Sequence, residues 1–74
     1  MAAWNVILFD STAHALRAEK VLEREGMRFK LIPTPRQLSA DCGLALRFAP
    51  AERERVVALL EREGVPFNGV HDLR

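Results

Sequence analysis

An α+β sandwich of order βαββαβ is the fold class this sequence predicts, and three observations predict it. First, Leu22-Glu23-Arg24-Glu25-Gly26 recurs as Leu60-Glu61-Arg62-Glu63-Gly64, a spacing of 38 residues, and each copy is followed three residues after its glycine by a phenylalanine, Phe29 and Phe67. Second, each copy closes a stretch with helical spacing of apolar residues, and each stretch is preceded by a short run of strand formers. Third, a chain of 74 residues holds one domain. At that size only about 60% of the unfolded surface is buried, so two layers around one core is the ceiling. Two copies are too few for a solenoid, which needs about three. A duplicated strand-helix-strand unit fits, with repeats at about 4–32 and 43–70 joined by a loop at 33–42.

The elements follow in order. Residues 5–9, Asn-Val-Ile-Leu-Phe, form a β-rich run stopped by Asp10-Ser11-Thr12, which reads as a strand ending in a helix N-cap. From about 13 to 25, Ala15, Ala18, Val21 and Leu22 share one helix face while Glu19 and Glu23 fall elsewhere, and Gly26 is a C-terminal stop. Residues 29–32 make a second strand that Pro33 ends by removing a ladder donor. Residues 44–48 make the third strand. Pro50 suits a helix start, where its missing N–H is not needed. The second helix covers about 51–63 with Val56, Val57, Leu59 and Leu60 on its apolar face, and Gly64 stops it. A last strand is expected near 67–70, with a loose tail at 71–74. Two right-handed crossovers then interleave into a four-stranded antiparallel sheet with both helices on one face, the ferredoxin-like arrangement.

Composition excludes several classes. An apolar fraction of 49% with 28% charged residues belongs to a soluble globular protein. Eleven basic and ten acidic residues give a formal charge of +1 and interleave along the chain, so no block of one sign points to nucleic acid or anionic lipid. The longest apolar run, 56–60, is far short of the roughly 20 residues that span a bilayer. The start, Met-Ala-Ala-Trp-Asn, lacks the basic and apolar parts of a secretion signal, so a cytoplasmic location is expected. In that reducing compartment Cys42, the one cysteine, has no intramolecular partner and persists as a thiol.

Cys42 ends the loop Pro33-Thr34-Pro35-Arg36-Gln37-Leu38-Ser39-Ala40-Asp41-Cys42, and Gly43 follows it. The loop is long for a connection in so small a domain, is stiffened by two prolines and carries one nucleophile. The expected topology makes strands 1 and 2 parallel. The end of strand 1, with Asp10, Ser11, Thr12 and the helix start, then shares a sheet edge with the loop. A helix N-terminus offers roughly half a positive charge and unpaired N–H donors, which favour thiolate, and Arg36 adds to this. Asp41 beside the thiol opposes it. The expectation is a solvent-accessible thiol of moderately lowered pKa.

Phe9-Asp10-Ser11-Thr12, Ala18-Glu19-Lys20, Leu31-Ile32-Pro33-Thr34-Pro35-Arg36 and Ser39-Ala40-Asp41-Cys42-Gly43-Leu44-Ala45 together resemble the selenium/sulfur carrier protein-like family. The specific part is the Ile-Pro-Thr-Pro-Arg run with the Cys-Gly that closes the loop. The resemblance implies a small cytoplasmic bacterial protein whose Cys42 accepts sulfur or selenium from a donor enzyme and passes it to an acceptor protein. Carrying chalcogen as a persulfide or selenosulfide needs one accessible thiol and no second thiol to resolve it. In that role Pro33, Thr34, Pro35 and Gly43 shape the loop, and Arg36, Ser39, Ser11 and Thr12 support the anionic terminal atom. A non-enzymatic carrier is favoured over a catalyst with turnover, and no cofactor is expected.

Blander readings stand beside this one. Free cysteine is among the most buried residue types, so Cys42 as a packing residue is the alternative, within a ferredoxin-like regulatory or protein-interaction module. A redox-sensing thiol is a third reading. Ser39 also fits a plain turn or cap, and Arg36 a solvated loop arginine. His14, near the same edge, is the one histidine placed to act as a proton partner, with Asp10 as its orienter, but a lone histidine is more often a surface residue. One cysteine and two separated histidines do not make a metal site. The Glu-Arg-Glu runs read as solvated faces, and Trp4 and Met27 as packing residues. Were Val6, Leu8 and Leu46 exposed on the helix-free face, a homodimer or partner through that face would be expected.

Overall fold

The computed structural model describes residues 3–36, 38 and 43–73. Its strands are β1 (Trp4–Leu8), β2 (Lys30–Pro33), β3 (Leu44–Phe48) and β4 (Val70–Leu73), and its helices α1 (Thr12–Arg24) and α2 (Arg53–Arg62). The sheet order is β2-β3-β1-β4, with each neighbouring pair antiparallel. Two antiparallel steps separate β1 from β2, so these strands run parallel. The ferredoxin-like βαββαβ arrangement is therefore the fold. No helix among the described residues is long and apolar enough to cross a membrane.

The register divides the sheet's faces. Ile7 lies opposite Leu46 and Val70, and Leu31 opposite Leu46, so these side chains share a face. That face packs on Ala15, Ala18, Val21 and Leu22 of α1 and Val56, Leu59 and Leu60 of α2. The expected apolar face of α1 is thus buried entire, whereas Val57 of α2 is only half-buried. Val6, Leu8 and Ala45 point the other way and form a second, smaller cluster.

This register corrects one premise. Leu46 faces the helices and is fully buried, and Val6 and Leu8 on the opposite face are buried within the single chain, at 0% and 6% exposure. The condition attached to a homodimer through an exposed sheet face is not met.

Each repeat encodes the same helix end. Beyond α1, Gly26 N–H donates to the Glu23 carbonyl and Met27 N–H to the Leu22 carbonyl at 3.0 Å. Beyond α2, Gly64 N–H donates to Glu61 and Val65 N–H to Leu60 at 2.9 Å. Both are Schellman caps, in which the glycine is left-handed and the following apolar residue packs back on the leucine. Gly26 and Gly64 have φ of 71° and 70°, where any L side chain costs roughly 1 kcal/mol. Leu22, Met27, Leu60 and Val65 all lie in the main core. The recurring Leu-Glu-Arg-Glu-Gly is the written form of this cap.

Some boundaries differ from expectation. Pro33 is the last residue of β2 rather than its stop, because β2 is an edge strand, where a missing donor is tolerated. A 3₁₀ turn over Pro50–Glu52 precedes α2, with Pro50 at its first position. The last strand is Val70–Leu73, not 67–70, so residues 71–73 of the tail expected to be loose are part of the sheet, and Arg74 lies outside the described residues. Gly69, at φ 97°, reorients the chain before it. The side-chain amide of buried Asn5 donates to Asp72 Oδ1 at 2.7 Å, tying β4 to β1.

The Glu-Arg-Glu runs, expected to be solvated faces, pair with each other. Arg24 lies 3.1 Å from Glu63, and Arg62 lies 3.4 Å from Glu25. Arg17 of α1 also donates to the Glu63 carbonyl at 3.2 Å. The hydrogen bond and charge of Arg24, with a smaller contribution from Arg62, hold the Glu63 carboxyl below the usual glutamate range. A depressed folded-state pKa stabilises the fold above the unfolded value and loses that contribution as the pH falls through the folded one. Urea midpoints of wild type and Glu63→Gln should therefore differ at pH 7 and converge as the pH drops below about 4.3, the ordinary glutamate value. Because Arg24 is exposed and Glu63 only half-buried, high salt should shrink the difference.

Candidate functional site

The loop that carries Cys42 leaves the sheet between β2 and β3. Pro33 lies opposite Leu44 in the ladder, and one residue further out Thr34 N–H donates to the Gly43 carbonyl at 3.0 Å. This hydrogen bond closes the neck, so the eight residues 35–42 span two chain ends already fixed by the sheet. Inside the neck, Leu38 N–H donates to the Pro35 carbonyl at 3.0 Å, which turns the chain back on itself directly after β2.

Leu38 fixes the side of the sheet on which this arm of the loop lies. It is half-buried and packs, with Ile32, on the cluster of Val6, Leu8 and Ala45. That is the face opposite the helices, so Leu38 gives partial cover to residues that would otherwise be wet. Arg36 is exposed two residues before this anchor, and Thr34 and Pro35 are half-buried.

The neck and the start of α1 lie at one end of the sheet, because Leu8, the last residue of β1, is opposite Ala45. Ser11 is the N-cap of α1. Its Oγ accepts from His14 N–H at 3.2 Å, so the hydroxyl is already committed to the helix. Ser11 and Thr12 are exposed, and no acidic residue occupies the first turn to offset the positive end of the helix. His14 is half-buried, and its Nδ1 is buried without a hydrogen-bond partner among the described residues. Cys42 and Ser39, with Asp41 between them, lie outside the described residues.

Gly43 does not have positive φ. A Cβ built there would meet Thr34 Oγ1 at 3.7 Å, an ordinary contact. The backbone pairing with Thr34, not a left-handed turn, accounts for the chain path at this position. Sequence reasoning gave Thr34 and Gly43 a loop-shaping role but missed their pairing and the anchoring role of Leu38. An apolar residue within an otherwise polar loop was the available signal for the second.

The family model described as "Putative Se/S carrier protein-like" matches residues 5–72, a span that includes both repeats and the whole loop. The chain belongs to that family. No curated protein and no solved structure matches it.

Two substitutions separate anchor from hinge. Leu38→Ala should lower stability by about 1–2 kcal/mol, less than the loss at a fully buried leucine because the side chain is half-exposed. Gly43→Ala should change stability by less than about 0.5 kcal/mol. Urea denaturation of the two variants beside wild type checks both.

Proposed function

We propose that this member of the Se/S carrier family accepts sulfur or selenium on the thiol of Cys42 and delivers it to an acceptor protein. In the sulfur case the Cys42 thiolate attacks the terminal sulfur of a donor enzyme's persulfide. A new S–S bond forms at Cys42, the donor's S–S bond breaks, and the donor cysteine leaves as thiolate. Delivery is the same exchange with an acceptor nucleophile. Sulfane sulfur moves without net oxidation or reduction of the pair, so no external oxidant or reductant is needed for loading.

Membership of the family, through a match that includes the Cys42 loop, is the observation that carries this reading. The chain's single cysteine supports it, since a persulfide on Cys42 has no second thiol in the chain to displace it as an internal disulfide. The fixed neck between Thr34 and Gly43 also supports it, because Cys42 is bonded directly to a residue held by the sheet. In this reading Arg36 and Ser39 stabilise the anionic terminal atom within the loop. The exposed N-terminus of α1, with Ser11 and Thr12, contributes positive potential from the same sheet end. Pro33 and Pro35 limit the conformations the loop must lose on docking to a donor or acceptor.

Incubation with a cysteine desulfurase and cysteine, followed by intact-mass analysis, tests the proposal. Wild type should gain one sulfur that reduction removes, and Cys42→Ser should gain none. An unmodified wild-type mass, under conditions where the desulfurase itself carries persulfide, would overturn it.

A further inference from the structure

At the sheet end remote from the loop, where Lys30 lies opposite Arg47, the α1–β2 connection and the start of α2 border a groove of about 610 Å³. Four cations, Arg28, Lys30, Arg47 and Arg55, line it against one carboxylate, Glu52. Trp4, Met27 and Phe29 provide apolar walls. The chain as a whole is nearly neutral, so this is a local concentration of positive charge that composition conceals. The ion pairs found elsewhere use Arg24, Arg53 and Arg62; among the described residues none of the groove's four cations joins a salt bridge.

Arg47 is the cation of the groove with the most defined surroundings. Its guanidinium carbon stands 4.3 Å from the Trp4 ring centroid, which holds the planar group in place while leaving N–H donors at its edge. Its Nε is buried and has no hydrogen-bond partner among the described residues. A guanidinium with a buried donor left unpaired keeps its charge unanswered by the protein, and an anion in the groove at its terminal N–H groups would offset that cost. The volume is in the range of small-molecule sites, about 300–1,000 Å³. The combination of indole, thioether and phenyl walls with several cations suits a ligand that is aromatic at one end and multiply anionic at the other.

We propose that this groove binds a nucleotide-class ligand, its phosphates held by Arg47, Lys30 and Arg55 and its flat base against the apolar wall. The proposal does not depend on the carrier reading, since it concerns the opposite end of the sheet. Trp4 is the one tryptophan and the chain has no tyrosine, so intrinsic fluorescence reports on the groove itself.

Titration of the full chain with ADP, adenosine and inorganic pyrophosphate, followed by Trp4 emission and by calorimetry, tests it. ADP should bind saturably and more tightly than either fragment, and added salt should weaken it. Arg47→Gln and Arg55→Gln should each weaken ADP roughly tenfold, and Arg36→Gln, which removes the same charge at the other end, should not. Arg55 is exposed, so its variant remains informative if Arg47→Gln fails to fold. No saturable ADP response up to about 1 mM, equal binding of pyrophosphate or adenosine, or an equal loss in Arg36→Gln would each overturn the assignment.

Discussion

Five consecutive residues, Asn5 to Phe9, are buried, and because side chains alternate along a strand, that burial needs cover on both sides of the sheet. The helices cover one side. On the other, Val6 and Leu8 would each forfeit about 1.5–3 kcal/mol if left in water, a loss that together rivals the lower end of a small domain's total stability, about 5 kcal/mol. The chain meets this need with the loop between its repeats and with side chains of the sheet itself. Leu38 and Ile32 pack on the cluster of Val6, Leu8 and Ala45, and beside Val6 the register places Arg47 on one flank and His71 on the other. The loop bearing Cys42 is thus drawn to the helix-free face at Leu38 by the hydrophobic demand of the central strand, while its neck is set by the β2–β3 ladder.

The two halves of the chain are joined by a shared device at their helix ends. Each Schellman cap turns the chain sharply out of its helix and brings Met27 or Val65 back onto Leu22 or Leu60. The arginine and glutamate beside each cap reach the glutamate and arginine beside the other. Individually these exposed pairs are weak. Their effect is to match the two repeats where their backbone geometry is identical, while the core supplies most of the stability.

The fold was legible in the sequence because its signals are local. An N-cap within Asp10-Ser11-Thr12, the apolar faces of both helices, the glycine stops and Pro50 at a helix start are choices within a few residues of one another. The misses involve partners distant along the chain. Leu46 was grouped with Val6 and Leu8, but register places Val6 opposite Arg47 and turns Leu46 to the helices; a shift of one residue reverses every side chain. The last strand begins later than its apolar residues suggest because Gly69 redirects the chain and Asn5 captures Asp72. At the candidate site the loop itself was legible from Pro33, Pro35 and Cys42. The Thr34–Gly43 pairing was not, since backbone hydrogen bonds leave no mark in residue identity. The basic groove was least legible, being assembled from positions 4, 26–30, 47–55 whose charges average away in the composition.

The two ends of the sheet therefore differ in character: a closed neck presenting a loop with the chain's one thiol, and a wide basic groove around Arg47 and Trp4. A carrier function makes its sharpest demand on the first, since chalcogen transfer needs a thiol that partners can reach in the folded protein. The rate of Cys42 alkylation at pH 7, native against urea-unfolded, measures that demand directly. The carrier reading predicts that native Cys42 reacts at least as fast as the unfolded thiol. A native rate limited by unfolding would mean a packed, structural cysteine and would contradict it.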